Sequence, residues 1–335
     1  MSEPSAWDVL VVGAGPCGLA VGVAAKQHGL RCVLVDKGTV ADAIYRYPTY
    51  TVFFSGADKL EIGGLPFTIA GDKPTRREAL RYYRKVVQYF DLDVRQYERV
   101  EAIESDHGGF VVRSVARHGE RRLYRTAAVV MATGYFDTPN RLNVPGEDLP
   151  HVLHYFVDPF PFFRQRVVVV GGGNSAADAA LSSWREGADV TMIHLAATLD
   201  PGVKPWVRPD LENRIAEGAI RMLWEHRVVE IRPDRVRACD LRSGESVEVP
   251  CDWVLAMTGY TPDPSLLLGV GVRIDPTTGV PEHDPQTMET NVPGVFLAGV
   301  VAAGYDANRI FIENGRFHGS RIAAELARRR APAAV

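Results

Sequence analysis

The sequence predicts an α/β protein built from two Rossmann-like domains, the second inserted into the first. Three observations carry that reading. A glycine-rich unit occurs twice: residues 8–36 (DVLVVGAGPCGLAVGVAAKQHGLRCVLVD) align with residues 166–194 (RVVVVGGGNSAADAALSSWREGADVTMIH) at a constant offset of 158. A second repeat brackets the inner copy, because VVMATGY at 129–135 recurs as VLAMTGY at 254–260. The 335 residues, 46% hydrophobic and 24% charged, suit two domains with sizeable cores and not a disordered or fibrous chain. The predicted division is a first part over 1–138, an inserted domain over 139–254 and a returning part over 255–335.

Each copy of the unit runs from an apolar β-branched stretch through a glycine turn and a helical stretch to a second apolar run. That order describes a strand, a turn, a helix and a parallel strand. Between the copies, TRREALRYYRKVVQYF at 75–90 has the spacing of an amphipathic helix, and residues 94–125 read as short alternating strands. A last helix is expected to open at Glu313-Asn314-Gly315 and run to about Arg330, with RRRAPAAV as its frayed end.

Composition narrows the function classes. A formal net charge of −3 lacks the basic signature of a nucleic-acid binder. No apolar run approaches the roughly 20 residues needed to span a bilayer, so no membrane partner is expected. The opening MSEPSAWD has no basic and apolar leader. Four cysteines without a CxxC pair point to a reducing cytoplasm and not to a disulfide scaffold. Nine histidines show no HxxxH or HExxH spacing, and no metal is expected.

Gly13-x-Gly15-x-x-Gly18 follows a strand and opens a helix, as dinucleotide binding requires. Gly13 permits the tight turn, Gly15 lets a pyrophosphate approach the backbone, and Gly18 lets helix pack on strand. Pro16 and Cys17 open the helix, whose free N–H groups suit phosphate. Asp36 ends the second strand, where a carboxylate accepts hydrogen bonds from a ribose. In the second copy Gly171 and Gly173 repeat the turn, Asn174 and Ser175 open the helix, and Ala176 replaces the third glycine. His194 stands in the place of Asp36. Losing the acid removes its repulsion of a 2′-phosphate and favours NADP. No cation follows, however, because Leu195 and Ala196 come next. Lys204 and Arg208 are the nearest, either as phosphate ligands or as solvated charges.

With both turns in place, the chain resembles the two-dinucleotide-binding-domain flavoproteins similar to thioredoxin reductase. Ala132-Thr133-Gly134 matches their ATG motif, and Thr290 through Gly294-Val-Phe-Leu-Ala-Gly299 matches their C-terminal flavin motif. Closer stretches resemble the YpdA-type bacillithiol disulfide reductases: GAGPCG at 13–18, AIYRYPT at 43–49, FFSGADKLEIGGLPF at 53–67, KPW at 204–206 and IFIENGRFHG at 310–319. The resemblance covers essentially the whole chain. It implies FAD on the first turn, NADPH on the second, hydride transfer between them, and reduction of a small thiol disulfide by a homo-oligomer. The FAD domain would then comprise 1–138 and 255–335, and the NADPH domain 139–254. Implied cofactor contacts extend to Lys37, Tyr45, Thr133, Gly134, Gly259, Gly299 and Asn314.

Three departures accompany it. Val300 stands where flavin reductases usually place an Asp, and Leu195 where relatives carry an Arg. Residues 139–170 hold no cysteine, so electrons cannot pass through the dithiol that thioredoxin reductase uses. That leaves Cys17, the redox-active residue the resemblance implies; its other reading is a small side chain filling a place where relatives have Ala. A helix N-terminus lowers a thiol pKa and neighbouring phosphates raise it, so the sequence alone leaves the sign open. Cys239 and Cys251 read as core thiols or as cross-strand neighbours, and His318 as a proton donor or a packed side chain. Tyr45, Tyr47 and Pro48 read as a flavin cover or as loop packing. The competing function is a ferredoxin or flavodoxin reductase, which has this architecture without CxxC. A flavin monooxygenase fits less well: of FxGxxxH only His154 matches, with Asp148 and Pro150 in place of Phe and Gly.

Overall fold

A computed structural model describes residues 7–330. In chain order, the first stretch holds β1 (Trp7–Val12), α1 (Pro16–Gln27), β2 (Cys32–Val35), α2 (Asp42–Tyr45), α3 (Ala57–Leu60), α4 (Arg76–Tyr89), β3 (Asp93–Arg95), β4 (Glu98–Asp106), β5 (Gly109–Ala116) and β6 (Arg121–Met131). The next holds β7 (Val152–Leu153), β8 (Arg166–Val170), α5 (Asn174–Arg185), β9 (Asp189–Ile193), α6 (Arg208–Ala216), β10 (Arg221–Leu223), β11 (His226–Arg232), β12 (Arg235–Asp240), β13 (Ser246–Pro250) and β14 (Trp253–Ala256). The last holds α7 (Ser265–Gly269), β15 (Val295–Leu297), α8 (Ile312–Gly315) and α9 (His318–Arg330). Contacts group residues 1–138 with 261–335 as one compact unit and 139–260 as another.

The first unit is organised on the strand order β3-β2-β1-β6-β5-β4, with β15 also on β6. β1, β2, β3 and β15 run parallel to their neighbours, while β4, β5 and β6 form an antiparallel meander. Eleven residues let β6 serve both parts: residues 121–126 pair with β5, and 126–131 pair with β1. Val9, Leu10, Val11, Val33 and Leu34 are fully buried, as strands covered on both faces require. Each such side chain contributes about 1.5–3 kcal/mol of hydrophobic stabilisation.

The helix expected at 75–90 is α4, and its start has a physical cause. Thr75 Oγ1 accepts from Glu78 N at 3.3 Å, and Glu78 Oε2 accepts from Thr75 N at 2.8 Å, a reciprocal capping box. Tyr82 and Tyr83 on this helix are buried, and Tyr82 stacks on Phe67 with ring centroids 4.2 Å apart.

The second unit has a parallel sheet ordered β10-β9-β8-β14-β7 and a separate antiparallel sheet β11-β12-β13. The separation has a residue behind it. Pro250 aligns with Arg125, which is paired inside the continuous β6. A proline cannot donate to a ladder, so β13 stops there and β14 restarts at Trp253.

Two expectations are corrected. The last helix does not open at Glu313: α8 ends at Gly315 and α9 begins at His318. At the break, Phe317 N donates to Asn314 O at 3.3 Å, a tighter turn than the α-helical one, and the Arg316 side chain donates to the carbonyls of Asp58 and Glu61 at 3.0 and 2.6 Å. Cys239 and Cys251 are not cross-strand neighbours. The register pairs Cys239 with Ser246, while Cys251 N donates to Asp234 O at the other end of the hairpin. Of the predicted frayed tail, Arg328–Arg330 close α9 and the remainder lies outside the described residues.

Candidate functional site

The first glycine turn is fixed by backbone geometry. Gly13 has φ +112°, and a Cβ there would run into the carbonyl of Ala132. Its N–H reaches Val35 O at 2.8 Å, tying the turn to the end of β2. Gly15 caps α1 with extended backbone, Pro16 takes the first helical position, and no side chain caps the helix start. A Cβ added at Gly15 would meet nothing within 4 Å, so open space adjoins uncapped N–H groups. Gly18 has no such space: a Cβ there would strike Gly13 O.

Asp36 accepts from Ala14 N and from Gly38 N, both at 2.7 Å. Burial raises its pKa, and the two N–H bonds oppose the rise. Lys37 pairs with Asp137 at 2.9 Å, and Arg46 pairs with the same carboxylate. Thr133 Oγ1 is buried with no hydrogen-bond partner among the described residues. Uncapped amides, open space and an orphaned hydroxyl together fit a dinucleotide. Tyr45 is 53% exposed, and its carbonyl accepts from Arg76. Tyr47 packs edge-on to Phe136, with ring centroids 5.2 Å apart. Gly134 follows Thr133 in the left-handed region at φ +70°.

Cys17 sits in the first turn of α1. Its Sγ would lie 3.0 Å from a Cβ at Gly299 and 2.9 Å from one at Gly315, so glycine at both positions makes room for the sulfur. Burial pushes the thiol up to about 12, and the Glu313 carboxylate adds to the rise. The shift is upward, and desolvation is its larger cause. Glu313 in turn accepts a hydrogen bond from Ser55. Asn314 is not a cap by position; from inside α8 its Oδ1 accepts from Phe311 N at 2.8 Å, and its Nδ2 donates to Arg309 O at 2.9 Å. His318 is buried, its Nδ1 accepts from Gly299 N at 3.2 Å, and burial lowers its pKa to about 4. It is a buried side chain packed against Gly299.

The second turn repeats the backbone. Gly171 has φ +134°, a Cβ there would collide with Met257 O, and its N–H reaches Ile193 O at 3.0 Å. Gly173 caps α5 with no side-chain cap. Asn174 donates to Gly202 O at 2.8 Å and accepts from Lys204 N at 3.0 Å, which fastens the 202–204 loop to the helix start. Ser175 is exposed, and Ala176 is fully buried at the position of the third glycine. Gly259 follows β14 at φ +85°, and Asn140 N donates to its carbonyl at 2.9 Å. His194 is 9% exposed and lies against Gly172, with Nε2 3.4 Å from Asp200 Oδ1. Asp200 had no signal in the sequence: it follows His194 by six residues and belongs to no motif. Glu98 was equally hidden; its buried carboxylate accepts from Ser114 at 2.5 Å, Tyr124 at 2.7 Å and Arg122 at 2.8 Å. Among the described residues no cluster could hold a metal, and no helix is long and apolar enough to cross a membrane.

Residues 10–299 match the family model of pyridine nucleotide-disulphide oxidoreductases, which spans both glycine turns. The chain belongs to that family. A curated relative, bacilliredoxin reductase Bdr of Bacillus subtilis (strain 168), is 45% identical over 96% of this chain and 97% of its own. The solved structure of bacillithiol disulfide reductase Bdr (YpdA) from Bacillus cereus superposes with a TM-score of 0.95 at 43% identity, covering 97% of this chain and 100% of that one. Thioredoxin reductase from T. acidophilum shares the fold, with a TM-score of 0.76 at 24% identity over 98% of this chain and 100% of that one. As a pyridine nucleotide-disulphide oxidoreductase the chain is a flavoprotein enzyme, and flavin and pyridine nucleotide are its cofactors. The thioredoxin-reductase-like pair of Rossmann domains is its fold.

Proposed function

We propose that this enzyme is an NADPH-dependent FAD oxidoreductase that reduces a low-molecular-weight thiol disulfide, bacillithiol disulfide first among them. Cys17 is the reacting thiol. The observation that carries this reading is the placement of Cys17. It is the one cysteine at a glycine turn, and its sulfur is seated against Gly299 of the flavin motif and Gly315 of α8. The name of the Bacillus cereus relative, bacillithiol disulfide reductase Bdr, supports this substrate class, while the name of the Bacillus subtilis relative gives bacilliredoxin as what is reduced.

Flavin, when bound, takes hydride from the nicotinamide and supplies two electrons. The chain's own residues do the rest. Gly13, Gly15, Pro16, Cys17 and Gly18 cradle the FAD pyrophosphate, Asp36 reads its ribose, and Lys37, Tyr45, Thr133, Gly134, Gly299 and Asn314 border it. Gly171, Gly173, Asn174, Ser175, Ala176, His194, Lys204 and Gly259 form the NADPH site. Cys17 attacks one substrate sulfur, the S–S bond breaks, and one thiol leaves while the other remains in a mixed disulfide with Cys17. The two electrons and two protons, one carried by the hydride and one from solvent, then release the second thiol and restore Cys17, so one disulfide, one NADPH and one proton yield two thiols and NADP+. A thiol with its pKa near 12 is neutral at rest, so its proton must leave as the sulfur attacks. The cytoplasm, where such thiols stay reduced, is the compartment this chemistry needs, and a homo-oligomer is the expected assembly.

The test is anaerobic. NADPH bleaches the flavin, and bacillithiol disulfide is then mixed with wild type and with Cys17→Ala. Rapid return of the yellow form in wild type alone is expected. A reduced flavin that persists in wild type removes the substrate assignment, and full turnover by Cys17→Ala removes the thiol mechanism.

A further inference from the structure

The two nucleotide turns differ in where their acid comes from. In the first, Ala14 O accepts from Ala41 N at 3.0 Å, and the acid is Asp36 at the end of β2. In the second, Gly172 O accepts from Asp200 N at 3.1 Å, so Asp200 occupies the loop position that Ala41 holds in the first copy. Its carboxylate comes back to the turn: Oδ1 is 3.4 Å from His194 Nε2, and Oδ2 would lie 3.1 Å from a Cβ at Gly173. His194 Nε2 is buried and makes no hydrogen bond among the described residues, although the side chain as a whole is nine-tenths buried. A buried ring nitrogen that makes no hydrogen bond, 3.4 Å from a half-exposed carboxylate, points to a hydroxyl-bearing ligand. From His194 to Val203 the chain contains no Lys or Arg, the next cation being Lys204, and Leu195, the second residue after β9, is 55% exposed. Arg208 donates to Asp200 O at 2.6 Å and to Glu212 at 3.2 Å.

We infer that Asp200, with His194, reads the unphosphorylated adenosine ribose of the nucleotide, and that the second site accepts NADH as readily as NADPH. This rests on the reading of residues 139–260 as the nicotinamide nucleotide domain. An acid facing the ribose accepts from its 2′-OH and opposes a 2′-phosphate, as Asp36 does by position in the first copy. The apolar Leu195 supplies no compensating charge.

Calorimetric titration of the FAD-loaded enzyme with NAD+ and NADP+ tests it, alongside anaerobic flavin bleaching by NADH and NADPH. Wild type is expected to bind the two within tenfold of each other. Asp200→Asn should weaken NAD+ about tenfold, the scale of one charge-assisted hydrogen bond, without weakening NADP+. Leu195→Arg should tighten NADP+ about tenfold and leave NAD+ unchanged. NADP+ bound more than tenfold tighter by wild type overturns the inference, as does an Asp200→Asn variant that loses both nucleotides equally. If neither nucleotide binds or bleaches the flavin, the assignment of the domain itself fails instead.

Discussion

Asp36 and His194 occupy one place in two copies of the same unit, and the backbone around them is nearly identical. Asp36 N donates to Arg95 O at 2.9 Å and its carbonyl accepts from Glu98 N at 2.8 Å; His194 N donates to Leu223 O and its carbonyl accepts from His226 N, both at 3.0 Å. Leu19 N reaches Gly15 O at 2.9 Å, and Ala177 N reaches Gly173 O at 3.0 Å. The side chains then diverge as a set. The first copy combines Ala14, Asp36 and Ala41; the second combines Gly172, His194 and Asp200. A Cβ at Gly172 would enter the imidazole ring, so the glycine and the histidine must change together. Main-chain hydrogen bonds define the turn, and the side-chain triples are what distinguish the two copies.

Breaking each turn at its first glycine should give the largest and most divergent effects. Alanine at Gly13 or Gly171 forces a side chain into a left-handed backbone and against a carbonyl, a cost of about 3 kcal/mol or roughly 100-fold in ligand affinity. Gly13→Ala should purify without yellow colour. Gly171→Ala should keep its flavin and lose anaerobic bleaching by NADPH. Visible spectra and stopped-flow reduction separate the two outcomes, and equal flavin loss in both variants would show that the turns are not functionally distinct.

The features legible in the sequence were those set by backbone constraint. Gly13, Gly171 and their spacing are visible because only glycine fits them, and α4 is visible because Thr75 and Glu78 cap it locally. The rest depended on distant packing. Asp200 has no motif, since its approach to the turn is fixed by one backbone bond to Gly172. At the break between α8 and α9, Arg316 reaches carbonyls some 255 positions earlier in the chain, a contact that local spacing does not reveal. The sign of the Cys17 shift required knowing that Gly299 and Gly315 enclose its sulfur. Cys239 and Cys251 are separated by a hairpin register that local spacing does not determine.

The coupling of Gly172 to His194 can be sharpened with a double-mutant cycle. Gly172→Ala alone overpacks the turn against the ring and should cost about 1–3 kcal/mol in urea unfolding. Adding His194→Asp removes the ring and recreates the first copy's Ala–Asp arrangement, in which the carboxylate accepts from the alanine N–H. The double variant should recover most of the loss. Additive effects of the two substitutions would mean that the two positions are independent, and the side-chain triples would lose their meaning.

The smallest effect concerns how the two copies close their sheets. In the first, β6 runs unbroken through Ala127; in the second, Pro250 ends β13, and Asp252 stands at the position matching Ala127. Asp252 re-forms the connection by side chain: it accepts from Arg166 N at 2.8 Å, Nε at 3.1 Å and Nη2 at 2.6 Å, while its own N–H donates to Arg166 O at 2.8 Å. Arg166 holds the carboxyl at about 2, below the ordinary Asp value near 3.9. A depressed acid contributes stability that is full above its unfolded pKa and is lost as pH falls through the folded one. Both side chains are about a third or more exposed, so solvent screening limits the contribution to about 1 kcal/mol. Asp252→Ala should therefore unfold at slightly lower urea than wild type at pH 7, and the gap should narrow between pH 4 and pH 2. A gap that stays constant through that range would show that the charge does nothing at the splice and that β14 is aligned by its pairing with β8 and β7 alone.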